Sequence, residues 1–300
     1  MTIVGIVVRP AAFVRYFGGL GNQLFQYNFA KYLELELGRP VGMFRSKSPL
    51  RADRKFELDT FLAYQQEAIA LAKFAFPGFR NKIIQGLNSR LELIGMSVEN
   101  TEKDPFGSTQ IQSPIGSKLT VFSGYFQNIG LVSKAAPVYL NQLKAFLAPI
   151  ASDVRRRLDL PVSAPVAHVR RGDLLKPENV GMGLLAPEYY KKALLALGKA
   201  DPKPVILTDD LQNVKMLAEN LGAVRVLDPS EVGTWEALAI FSTSEFLVTS
   251  NSTLSWWGGY IGTTQGNQVA MPSTWFKDES VQPESSLHIP NTSLIESSFD

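Results

Sequence analysis

The chain has 300 residues, 45% hydrophobic and 19% charged, with a formal net charge of +2 and no cysteine. That hydrophobic share excludes a disordered chain, and a charge balance so near zero offers no broad basic face for nucleic acid. The missing cysteine removes disulfides, thiolate chemistry and any Cys-held metal site, which fits a reducing compartment, while the length favours two domains because single cores stop growing at roughly 250 to 300 residues.

Ile3 to Val8 is apolar but falls far short of the roughly 20 residues that span a bilayer, so it reads as a strand of a cytoplasmic protein. Phe13 to Phe17 reads as a strand, Asn22 to Leu37 as a helix and Val41 to Phe44 as a further strand, the opening of a βαβ unit. Between the first two lies Gly18-Gly19-Leu20-Gly21-Asn22-Gln23, which is neither a dinucleotide fingerprint nor a P-loop. It is either a tight turn with Asn22 as helix cap, or a ligand loop offering Gly19, Gly21, Asn22 and Gln23.

Residues 46 to 120 are irregular, with a helical patch at Ile83 to Ile94. Leu71 to Met96 mixes Phe74, Phe76 and Phe79 with Lys73, Arg80, Lys82 and Arg90; it reads as solvated basic helices, with weak peripheral contact to an anionic membrane as the rival. Leu140 to Leu158 is a helical pattern broken at Pro149, and Asp159 to Pro165 is the expected linker. The domains are therefore expected at 1–160 and 161–300, with room for the C-terminal tail to pack back on the first.

Beyond the linker, strands at Pro165 to Val169, Val205 to Thr208, Val224 to Leu227, Phe246 to Thr249 and Gln268 to Met271 alternate with helices at Pro187 to Gly198, Leu211 to Leu221, Thr234 to Phe241 and Thr253 to Gly262. Near-continuous apolar strands separated by helices predict a parallel α/β sheet covered on both faces, with ligands beyond the carboxyl ends of its strands.

Three segments at such ends carry the candidate chemistry. His168-Val169-Arg170-Arg171-Gly172-Asp173 places two forked guanidiniums where phosphate can be gripped. Successive strand residues face opposite ways, so one arginine is expected on the ligand and the other in support. In Thr208-Asp209-Asp210, Asp210 reads as a helix cap and Asp209 as a carboxylate able to accept the N1–H and N2–H of guanine. In the run from Thr249 to Gly259, Ser250, Asn251, Ser252, Thr253 and Ser255 read as an anion cradle at a helix start, and Trp256 and Trp257 as core. No two aspartates lie two residues apart, so no D-x-D metal motif exists and metal independence is expected, with no cofactor. His288 reads as a surface or tail histidine.

Together, Gly18 to Tyr27, the H-x-R-R-x-D segment at 168–173, Thr208-Asp209-Asp210 and Ser250 to Gly258 closely resemble the α-1,2-fucosyltransferases of bacteria and eukaryotes; Gly124 to Gln127 and Pro272 to Phe276 look like further signatures of that family. The match covers the beginning, Gly124 to Gln127 and most of 165–276, and departs from the family at Thr2 to Pro10, an extra segment, and at Phe126, where Trp is commoner. The resemblance implies a GT-B fold of two facing Rossmann-like domains, the first for acceptor and the second for GDP-fucose. It further implies metal-free, inverting transfer of L-fucose to the 2-hydroxyl of a terminal sugar, often galactose, of a glycan. Arg170 would touch the donor diphosphate, Asp209 the guanine, the 250–255 hydroxyls phosphate, and His168 would lie near the nucleoside, while Gln23 and the glycine loop would face the cleft. Arg171 and Asp173 complete the catalytic set, Asp173 orienting an arginine or serving as a weak base. A GT-B transferase of another nucleotide sugar, and a non-catalytic nucleotide- or sugar-binding module, are the competing readings.

Overall fold

The computed structural model describes residues 12–45, 55–65, 96–100, 119–161, 163–175, 181–198, 201–278 and 287–300. The expected N-terminal strand at 3–8, the helical patch at 83–94 and most of the basic aromatic stretch at 71–96 lie outside these. The chain divides into two compact units, Met1–Tyr139 and Leu140–Asp300.

In the first unit, β1 (Ala12–Tyr16), β2 (Val41–Arg45), β3 (Met96–Asn100) and β4 (Leu119–Ser123) form a parallel sheet in the order β2-β1-β4-β3. Helix α1 (Leu20–Leu37) follows β1, α2 (Asp59–Gln65) follows β2, and α3 (Ile129–Ala135) follows β4. Helix α1 begins at Leu20, earlier than the expected Asn22, with Gly19 as its cap residue. Every residue from Leu20 to Leu33 except Asn22 is buried, so this is a central helix.

Buried amides need partners, and α1 finds them at strand ends. Gln26 accepts from the Phe17 amide (3.0 Å) beyond β1 and donates to the Gly124 carbonyl (3.3 Å) beyond β4. Asn28 accepts from the Tyr139 hydroxyl (2.9 Å) and donates to the Leu131 carbonyl (3.1 Å).

The second unit opens with α4 (Leu140–Arg157), followed by β5 (Val166–Val169), α5 (Pro187–Ala196), β6 (Val205–Thr208), α6 (Leu211–Asn220), β7 (Arg225–Leu227), α7 (Thr234–Thr243), β8 (Phe246–Val248), α8 (Thr253–Thr263), β9 (Gln268–Pro272) and β10 (Ser293–Ile295). Its parallel sheet has the order β7-β6-β5-β8-β9-β10, which, counted within the unit, is the Rossmann order 3-2-1-4-5-6. Period-two alternation sorts the side chains: Ala167, Val169, Ile206 and Val248 join one core with α5 and α6, while Val166, Leu207, Leu247 and Val269 join another with α7.

Two sequence expectations need correction here. The units part between Tyr139 and Leu140, not at 160/161, so 159–165 is an internal connection of the second unit. Helix α4 runs through Pro149 without a break, because its buried Leu143, Phe146, Leu147, Ala151 and Val154 hold it against the second unit, with Phe146 edge-on to Trp235 at 5.0 Å. The C-terminal residues supply edge strand β10 to the second unit's sheet.

Candidate functional site

The strand order of the second unit reverses between β5 and β8, and in such sheets the crevice beyond the carboxyl ends there receives the ligand. His168, Arg170 and Arg171 lie at the end of β5, and Thr249 to Ser252 follow β8. One bond ties the two: His168 Nδ1 lies 2.9 Å from Ser250 Oγ. The imidazole is buried and rests against Phe241 at 5.0 Å between ring centres. Burial, aided by the positive charge of Arg170 and opposed by Asp209, lowers its pKa to about 4, so the ring is neutral near pH 7.

The two arginines diverge. Arg170, partly exposed, is gripped by Asp173 through Nε (2.9 Å to Oδ1) and Nη2 (2.6 Å to Oδ2). Two of its five N–H donors are thereby used, and three, among them the Nη1 pair, are left over. Arg171 is buried and donates through Nη1 to Asp300 Oδ2 at 2.9 Å. With both oxygens on Arg170, Asp173 orients that arginine.

Asp209 and Asp210 also part company. Asp210 caps α6, its Oδ1 accepting from the amides of Gln212 (3.1 Å) and Asn213 (3.2 Å) and its Oδ2 from the Asn213 side chain (2.6 Å). These bonds hold its carboxyl below the usual range. Asp209, exposed at the end of β6, accepts on Oδ1 from the amides of Arg171 (2.7 Å) and Gly172 (3.1 Å).

Much of the 250–255 segment serves internal structure. Ser255 Oγ accepts from the Ser250 amide (3.3 Å) and donates to the Ser252 carbonyl (3.3 Å), and the Asn251 amide donates to the carbonyls of Met182 (3.0 Å), Gly183 (3.0 Å) and Trp275 (3.3 Å). Ser252, the cap residue of α8, makes no side-chain cap bond, so the first amides of that helix have no side-chain cap. Thr249 Oγ1, Asn251 Oδ1 and Arg171 Nε are buried without a hydrogen-bond partner among the described residues. Such orphans are rare, and their grouping at the ends of β5 and β8 suits a polar ligand. Trp256 and Trp257 are fully buried core residues. His288 is half-buried and bonded to the Ser273 carbonyl at 2.8 Å.

In the first unit the glycine loop also sits at the strand-order reversal, between β1 and β4. Gly18 has φ +77°, and a β-carbon there would meet Asn22 Nδ2 at 2.7 Å, so this turn requires glycine. Asn22 is not the cap of α1; its Oδ1 instead accepts from Gln127 (3.1 Å). Gln23, expected to face a ligand, is fully buried and spent on the carbonyls of Gly18 (2.9 Å) and Lys55 (3.0 Å) and the amide of Glu57 (2.8 Å). Gly21 is buried within α1. Phe126 adopts φ +53° and stacks on Phe29 at 3.8 Å.

Among the described residues no group of three or more His, Asp or Glu side chains could hold a metal ion, and no helix is long and apolar enough to cross a membrane. Sequence reasoning missed Asp300, Tyr190 and Gly172 as parts of the site's surroundings. Burial pushes the Tyr190 hydroxyl well above its ordinary pKa, and the group also feels Arg171, Asp209 and Asp300. Only tertiary contact brings these residues together.

No family model matches the chain. It is 25% identical to the O-antigen biosynthesis glycosyltransferase WbnK of Escherichia coli over 86% of this chain and 93% of the relative. It is 24% identical to an alpha-1,2-colitosyltransferase of Escherichia coli over 88% of this chain and 92% of the relative. Among solved structures, a mutant of Arabidopsis thaliana FUT1 in complex with GDP superposes with a TM-score of 0.50 at 15% identity, covering 87% of this chain and 69% of that one. The fold class is GT-B, with two Rossmann-like units in one chain, and along most of its length the protein is similar to two bacterial glycosyltransferases.

Proposed function

We propose that the protein is a metal-independent, inverting glycosyltransferase that moves L-fucose from GDP-β-L-fucose to the 2-hydroxyl of a terminal sugar, galactose by preference, of an O-antigen glycan. The observation that carries this is Arg170, braced by Asp173 at the end of β5, whose neighbour β8 leads into the uncapped start of α8. As the bond from fucose C1 to GDP breaks, negative charge gathers on the diphosphate and positive charge on the sugar. The free Nη1 pair of Arg170 and the positive end of α8 stabilise the departing diphosphate. Neutral His168, bonded to Ser250, joins the ends of β5 and β8 without adding charge. The relative named for O-antigen biosynthesis supports the glycan context, and the first unit, with its glycine turn, is assigned the acceptor.

A second reading is favoured by the relative named for α-1,2 transfer of colitose, which is L-fucose without its 3-hydroxyl. Purified protein is to be given GDP-fucose, nucleotide-activated colitose, and UDP and ADP sugars, with glycans ending in galactose, while released nucleotide is measured with and without EDTA. GDP release from GDP-fucose, unaffected by EDTA and yielding an α-1,2 product by NMR, is expected. Preference for the colitose donor would select the second reading, and turnover only with UDP or ADP sugars would overturn both.

A further inference from the structure

The donor chemistry gives no task to the segment Gly124 to Gln127, yet the fold carries it to the ligand end of the first sheet. It follows β4 and Phe17 follows β1, so both stand at the strand-order reversal of that unit. There the rings of Phe17 and Tyr125 meet at 5.0 Å between centres and 65° between planes, and both residues are partly exposed. The main chain beneath them is fixed. Gln26, fully buried in α1, accepts from the Phe17 amide and donates to the Gly124 carbonyl, so one side chain sets the distance between the two loops. Gln127 adds a second tie by donating to Asn22 Oδ1 at 3.1 Å.

The rings themselves are also held. The Arg15 guanidinium stands 5.3 Å from the centre of the Phe17 ring, a cation–π contact. Directly after Tyr125 the backbone enters the left-handed region at Phe126, a conformation that a bulky residue keeps only where its surroundings impose it. The Phe126 ring goes inward onto Phe29, which leaves Tyr125 as its partly exposed neighbour. Two fixed rings at a ligand crevice suit a molecule with one apolar face and a polar rim. Galactose has that shape: its axial 4-hydroxyl leaves the C–H bonds at C3, C4 and C5 on one face, where their partial positive charge meets the negative face of an aromatic ring.

We propose that Phe17 and Tyr125 form the acceptor platform: the C3 to C5 face of a terminal galactose lies in the corner between the two rings, and its 2-hydroxyl stays uncovered for transfer. This rests on the assignment of the first unit to a galactose-ended acceptor. The test uses methyl β-D-galactopyranoside with the full chain and with Phe17→Ala, Tyr125→Ala and Tyr125→Phe, by saturation-transfer NMR and by steady-state kinetics with GDP-fucose. In the wild type, saturation should be strongest at the sugar protons on C3, C4 and C5. Either alanine should weaken that signal and raise the acceptor KM about tenfold or more, as loss of an aromatic anchor does. The donor KM and kcat should stay nearly unchanged, the pattern of lost ground-state binding. Tyr125→Phe keeps the ring and should keep both the signal and the KM. An unchanged acceptor KM in both alanine variants, a rise confined to the donor KM, or saturation strongest at C1 and C2 would overturn the proposal. If the wild-type protein turns over no nucleotide sugar, the proposed activity falls, while saturation transfer still decides the platform: a signal lost in the alanine variants supports it, and no signal in the wild type removes it.

Discussion

The hexapeptide from His168 to Asp173 shows how neighbouring residues of one strand end divide the work. Arg170 is partly exposed and retains unbonded donors, whereas Arg171, just beyond the same strand end, is buried on Asp300. Arg170→Ala is expected to lower kcat about a hundredfold, roughly 3 kcal/mol, with the circular dichroism spectrum and melting temperature preserved. Arg170→Lys should recover little of this, because lysine cannot be held in a fork by Asp173. His168 makes a separate statement about pH. Its folded pKa, about 4, lies below the ordinary value of 6.5, so the unfolded chain binds the proton more readily between those limits. Its contribution is therefore complete above pH 6.5 and is lost as the pH falls to 4, up to about 3 kcal/mol at full burial. Urea titrations should show stability falling over that window in the wild type and a shallower slope in His168→Phe. The sequence disclosed which residues could act and that the arginines would differ, but not that Asp209 already has two amides as partners. That fact depends on strands 38 residues apart in sequence ending side by side.

Elements were legible in proportion to their hydrophobic pattern. The strands at 166–169 and 205–208 are buried on both faces, and their near-continuous apolar runs announce them. Strand β10 is three residues long with only Ile295 buried, which leaves no periodicity to read, and β3 has polar Ser97, Glu99 and Asn100 among its five residues. Proline at 149 misled because local propensity argued for a break, while the apolar face of α4 outweighed it through packing. Helices α7 and α8 approach so closely that a β-carbon on Gly258 would stand 2.3 Å from the Phe241 β-carbon. Gly258→Ala should therefore destabilise the protein by about 1 to 3 kcal/mol, the usual penalty of overpacking, in a denaturant titration. Because Phe241 also packs on His168, the same substitution should reduce transfer activity.

At the scale of the whole molecule, the boundary between the units can be tested directly. Helix α4 is bound to the second unit by Phe146 on Trp235, by Arg155 on Ser244 (2.9 Å) and by Arg157 on Glu236 (2.7 Å). A fragment of residues 140–300 should accordingly unfold in one cooperative transition and bind GDP by calorimetry. A fragment of residues 161–300, lacking the five buried α4 side chains from Leu143 to Val154, should be insoluble or molten. Sequence placed the second unit's parallel sheet and the opening βαβ of the first but set this boundary too late, because a proline-rich connection looked like a seam while its neighbours were packed together. The pairing of Arg171 with Asp300 also bears on biosynthesis. These partners are 129 residues apart, and β10 joins its sheet only when residues 293–295 are available. Strands β5 to β9 are synthesised before residues 293–300, so Arg171 stays without its Asp300 partner until that segment has been made. The scaffold of the crevice can therefore form before its charge balance is complete.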